Sequence, residues 1–157
     1  MNEFVAKKLG DVLAFQQVGQ DTLEKGRAAL EAALGQEKIV DMEEKFRIHG
    51  EEILRVATDA GVVDTTLAKA EKTGEKLHAM RDMYVGDQWD NTTELLEWSG
   101  FFEGAAVVHW ALVRGAAEGM NDETLMTLAE EGKNYRYELL ELAENELEAK
   151  GQDKATA

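Results

Sequence analysis

Residues 97–113, EWSGFFEGAAVVHWALV, are the most apolar run in a chain that is otherwise heavily charged. Between Phe101 and Val113 only two side chains can ionise, Glu103 and His109. Apolar residues recur there at steps of three and four, which predicts a helix buried along most of its circumference. The preceding DNTT (90–93) is an N-cap cluster followed by Glu94, and Gly119 is a stop, so the predicted helix spans residues 92–119. An unpaired carboxylate in such a helix would be prohibitively costly. Glu103 therefore needs a cation or a charged group on a facing helix.

The rest of the chain agrees with a helical fold. Its 157 residues suit one domain, expected over residues 1–150, and 44% of them are hydrophobic. Proline is absent, no segment alternates β-branched residues with period two, and Ala, Leu, Glu and Lys dominate. The net charge of −15 repels phosphate backbones and anionic lipid, which argues against nucleic acid and membrane surfaces as partners. Cysteine is absent, so thiolate zinc sites and thiol chemistry are excluded, and no Gly-rich phosphate loop signals a nucleotide. MNEFVAKKLGDVLAF (1–15) mixes polar and apolar residues too early for a signal peptide, and no run of about twenty apolar residues exists. A cytoplasmic protein is expected.

Three further helices follow from periodicity. The first is predicted over residues 2–34, with Val5, Leu9, Val12, Leu23, Leu30 and Leu34 on its stripe. The second covers 37–60, with Ile39, Met42, Phe46, Ile53 and Val56 inward. The last covers 122–150, capped by Asp122, with Leu125, Leu128, Leu139, Leu142 and Ala143 inward. Short connections make the first two, and the last two, antiparallel hairpins. Residues 61–91 are expected to be a mixed crossover with one or two short helical turns, and 151–157 a frayed tail. Two hairpins and one long crossover are the ferritin-like form of a four-helix bundle.

Shifting the chain by 86 positions lays one hairpin on the other, pairing Gln17 with Glu103, His49 with Tyr135 and Glu52 with Glu138. HGEEIL (49–54) falls over YRYELL (135–140). His49 and Tyr135 share stripes with apolar residues and point inward; the other four lie at stripe edges. A ring of Gln17, His49, Glu52, Glu103, Tyr135 and Glu138 is the candidate site. Lys45, Arg47 and Lys133 are the basic groups expected beside it.

This architecture and spacing resemble the ferritin-like superfamily, specifically the rubrerythrin-like di-iron carboxylate bundles. Those proteins place one Glu on each of the first and third helices and a Glu-x-x-His on the second and fourth. Here Gln17 precedes His49, and Glu103 precedes Tyr135, by the same 32 residues, with Glu52 and Glu138 three further on. The residue types are altered: His-x-x-Glu, Tyr-x-x-Glu, and Gln on the first helix. The resemblance implies a modified metal centre for iron or manganese, with Glu52, Glu103, Glu138 and His49 as ligands. Gln17, Tyr135 and His109 would hydrogen-bond around it. No catalytic residue is assigned.

Two functions are expected from these features. One is metal-dependent redox chemistry or metal handling. The other is a metal-free ferritin-like bundle acting as a homodimeric binding or assembly module, its inner polar groups satisfying one another. Either way a homodimer or larger assembly is expected, because Phe101, Val107, Val108 and Leu112 spread around the third long helix. In the metal-free case, Glu103→Gln should leave stability unchanged or raise it. His109 is expected to bond a facing helix, with Gln16 and Gln20 as partners, and Trp98 and Trp110 to pack. Among the glycines inside predicted helices, Gly50 and Gly104 adjoin the candidate site.

Overall fold

Asn2, Asn91 and Asp122 each begin a helix by accepting a backbone N–H three residues on. The computed structural model describes residues 1–157, which form six helices and no strand. They are α1 (Glu3–Lys25), α2 (Arg27–Leu34), α3 (Gln36–Asp59), α4 (Val63–Val85), α5 (Thr92–Gly119) and α6 (Glu123–Ala155). None is long and apolar enough to cross a membrane.

The expected first helix is interrupted once, at Gly26, where α1 ends and α2 begins. A Cβ there would lie 2.9 Å from Leu95 Cδ1, so α5 comes close at the break. Two expectations need correction. The end of the chain is helical as far as Ala155 rather than frayed from residue 151. The crossover is a 23-residue helix, α4, rather than one or two turns. Its buried residues explain why hydropathy hides it. Thr66, Ala70, Thr73, Leu77, Arg81 and Val85 follow perfect helical spacing, yet half of them are polar.

α4 lies along α1 in the same direction. Thr66 Oγ1 donates to Ala6 O (3.1 Å), Thr73 Oγ1 to Asp11 Oδ1 (2.6 Å), and Arg81 Nη1 to Asp21 Oδ2 (2.7 Å). The backbones meet at Gly10, where a Cβ would stand 2.6 Å from Thr66 O and from Lys69 Cβ. Only glycine allows that approach.

On its other sides α1 packs against α3 and α5, and both run against it. Gly19 faces Phe46 of α3, and Thr92 at the start of α5 donates to Ala29 O in α2. α6 returns along α5, with Gly132 seated under the Trp110 indole, and meets α3 where Tyr135 reaches Asp41. The turns Ala60–Val62 and Met120–Asp122 are built alike. Gly61 (φ 72°) and Asn121 (φ 55°) take the left-handed conformation, and the next N–H closes back onto Ala57 O or Ala117 O.

The core is divided along its length. One apolar cluster gathers Phe15, Val18, Ile39, Phe46, Trp98, Phe102 and Leu139; a second gathers Leu9, Leu13, Ile53, Trp110, Val113 and Leu125. Between them lies a layer of buried polar groups.

Candidate functional site

That layer consists of Gln16 on α1, His49 on α3, Glu103 on α5 and Arg136 on α6, all buried. Arg136 is 0% exposed and organises the rest. Its Nη1 donates to both Glu103 oxygens, each at 2.9 Å. Its Nη2 donates to Phe15 O (3.0 Å) and Gln16 Oε1 (3.2 Å). The guanidinium lies 4.1 Å from the Phe46 ring centroid and 5.6 Å from that of Phe102, so aromatic faces cover the cation where hydrogen bonds do not. Burial holds the Glu103 carboxyl above the ordinary carboxylate range, and the Arg136 charge and its hydrogen bonds offset only part of that rise. Two short bonds from a permanently charged guanidinium fit the ionised carboxylate. Thus the partner that Glu103 needs is an arginine supplied by the neighbouring helix.

Arg136 is the residue that the sequence reading missed, in favour of Lys45, Arg47 and Lys133. The signal was present. Leu125, Ala129, Gly132, Arg136, Leu139 and Ala143 recur at steps of four and three and are all buried, so Arg136 sits mid-stripe. Arginine on an apolar stripe is read as an outward residue unless its carboxylate partner is known.

His49 lies against Trp110 and Tyr135, with ring centroids at 6.3 and 6.0 Å, both edge-on. Its Nδ1 has no hydrogen-bonding partner. Burial, then the Arg136 and Lys45 charges, hold its pKa down to about 4, so the ring is neutral at pH 7. Tyr135 donates to Asp41 Oδ2 at 3.0 Å, toward the α3 surface and away from Glu103. Burial, and after it the Asp41 carboxylate, push the phenol above its ordinary value.

The remaining members of the expected ring are dispersed. Gln17 is exposed, and its neighbour Gln16 is the inward glutamine. Glu52 is half-buried and bonds Arg55 one turn along its own helix. Glu138 is exposed. His109 donates from Nδ1 to Ala105 O (2.7 Å) within its own helix and packs against Phe15 with ring centroids 4.9 Å apart and planes tilted by 47°, in place of the bond expected to Gln16 or Gln20. Glu52, Glu103, Glu138 and His49 therefore do not converge: no three His, Asp or Glu side chains gather so as to hold a metal ion. The physical reason is helical phase. Glu52 and Glu138 fall on the solvent side of the stripe edge, where water solvates them at no cost.

Both Glu103 oxygens accept from Arg136 Nη1, which makes the two side chains a buried charge pair. Beside it is a cavity of about 30 Å³, lined by Thr22, Phe46, Leu96, Phe102 and Leu139 among others, with room for about two waters. Of the two glycines expected at the site, Gly50 makes ordinary contacts with Gln16 and Leu13, and Gly104 faces open space. No protein-family model, curated protein or solved structure matches the chain.

Proposed function

We propose that this protein is a metal-free helical bundle of ferritin-like arrangement that works as a homodimeric assembly module, with α5 supplying the interface. The arrangement is supported by antiparallel pairing of α1 with α3 and of α5 with α6, and by the long connection that α4 provides. The metal-free reading is supported by Glu103, whose two oxygens are occupied by Arg136. Glu52 and Glu138, facing water, are free of any shared centre.

The observation that carries the assembly role is the outward side of α5. Phe101 is 65% exposed, Val108 62% and Leu112 41%, along one face of the helix. The other outward positions between them are Gly104, Ala105 and Ala111, and Gly115 continues the line. For about four turns this face carries no charge, in a chain where 31% of residues are charged. Isolated exposed apolar residues are ordinary; an uninterrupted strip of them marks a contact surface. Sedimentation velocity between 1 and 100 µM tests the role, with a species of twice the 17.4 kDa chain mass expected. A 17.4 kDa species alone across that range overturns it. Calorimetric titration with Fe(II) and Mn(II) is expected to show no stoichiometric uptake, and one equivalent bound would overturn the metal-free reading.

A further inference from the structure

We infer that the cavity beside the polar layer binds a small uncharged organic molecule, apolar except for one acceptor atom that takes the indole N–H of Trp98. Five helices supply its walls: Leu23 comes from α1, Leu30 from α2, Met42 from α3, Leu96 from α5 and Leu139 from α6. Eleven of its fifteen wall residues are hydrophobic. Such walls give water few partners and favour an apolar guest. The cavity is not sealed, and Leu34, Ser99 and Leu142 in its wall are partly exposed, which gives a guest a way in.

The polar groups of the wall decide the kind of guest. Thr22 Oγ1 donates to Val18 O and accepts from Arg81 Nη1, and Ser99 Oγ donates to Leu95 O. Both Glu103 oxygens accept from Arg136. Trp98 is 4% exposed, and its Nε1 has no partner. It is the one hydrogen-bonding side chain of the wall left unanswered. A buried N–H in that condition carries a desolvation penalty, which an acceptor on the guest removes. Tyr84 and Phe102 hold the indole in place, with ring centroids at 6.0 and 5.9 Å, so the donor is preformed.

Charge and size narrow the class further. The two cations bonded to the wall are already paired, Arg136 with Glu103 and Arg81 with Asp21 and Asp82. A net charge of −15 also repels an anion. A cation finds no free carboxylate there, because the oxygens of Glu103 are taken by Arg136. A volume of about 30 Å³, room for about two waters, suits a guest of about three or four non-hydrogen atoms. For a molecule of that size a dissociation constant of about 0.1–10 mM is expected.

Acetone and acetate are nearly identical in shape and differ in charge, so the pair tests the class. The chain's three tryptophans give three indole signals in a two-dimensional nitrogen–proton NMR spectrum, and Trp98→Phe identifies that of Trp98 by its loss. Titrating the parent with acetone to about 0.1 M is expected to move the Trp98 indole signal downfield and to saturate, with those of Trp89 and Trp110 left in place. Acetate should do no more than sodium chloride at the same ionic strength. Trp98→Phe should bind acetone at least fivefold more weakly, read from the methyl signals of Leu30 and Leu139. Shifts that grow linearly with acetone, or that are equal at all three indoles, overturn the site. Acetate bound as tightly as acetone overturns the uncharged class. Saturable acetone binding that leaves the Trp98 indole unmoved overturns its role as the donor.

Discussion

Replacing Glu103 with Gln removes one charge and one acceptor from the buried layer while keeping the side chain's shape. Gln keeps the shape and one acceptor oxygen, while Arg136 keeps its bonds to Phe15 O and Gln16 Oε1. What is lost is the compensation of a cation whose side chain is 0% exposed, in a pair whose carboxylate side chain is 5% exposed. Breaking a buried pair by removing one partner costs about 3–5 kcal/mol. The surviving bonds and the penalty that burial already imposes on the carboxylate place this case at about 3 kcal/mol. That reverses the expectation from sequence, which treated Glu103 as a charge without an arginine. With a urea m-value of about 2 kcal/mol/M, the midpoint should fall by about 1.5 M. The companion variant is Glu103→Gln with Arg136→Met, which removes both charges and should recover most of the loss, since an apolar replacement of a buried pair is often neutral or stabilising. Equilibrium unfolding followed by far-UV circular dichroism at pH 7 measures both. A single variant as stable as the parent, or a double variant no better than the single, would refute the view that Arg136 depends on Glu103.

His49 gives a pH dependence of definite sign. Its folded pKa of about 4 lies below the unfolded value of about 6.5, so below pH 6.5 the unfolded chain binds a proton that the folded chain refuses, and stability falls as pH drops toward 4. Between pH 7 and 5.5 this group should remove about 1.2 kcal/mol, and His49→Phe should abolish that difference in paired urea titrations. Gly132→Ala should destabilise by about 1–3 kcal/mol despite alanine's better helix propensity, because its Cβ would collide with the fully buried Trp110 ring. A calorimetric melting temperature equal to or above the parent's would contradict that. Thr73→Val removes the hydroxyl that donates to buried Asp11, whose other contacts are Lys8 and Lys69, and should cost about 1–2 kcal/mol by urea titration. Raising NaCl from 0.05 to 0.5 M should tighten the dimer, because each copy brings a net charge of −15; sedimentation equilibrium showing weaker association at high salt would argue against an uncharged interface.

Where apolar periodicity is strong, the sequence suffices. α5 spans the predicted 92–119, and α3 begins and ends within a residue of the predicted 37–60. Periodicity fails at α4 because Thr66, Thr73 and Arg81 do the work that Leu and Val do elsewhere, their polar groups satisfied by Ala6 O, Asp11 and Asp21 on α1. A helix whose buried face is made of hydrogen bonds is invisible to a hydropathy pattern, since its partners lie some sixty residues away. The site shows the same limit. Glu103 and His49 are legible as inward polar residues, but Arg136 lies 33 residues from Glu103 and only the fold joins them. Glu52 and Glu138 were placed by spacing alone, and a stripe edge can turn to either side according to how the helix packs.

The polar character of the α1–α4 seam has a consequence for motion. Thr66, Ala70 and Thr73 bury little apolar surface, so the α4 side of the seam rests largely on hydrogen bonds that water can replace. Such an element belongs to the low end of the local-opening scale, and its amide hydrogens should exchange with deuterium well before those of α5 or α6. Opening of α4 would also withdraw Ala70, Leu77 and Val85 from the two apolar clusters. It would bare Gly10 on α1, where the two backbones approach closely.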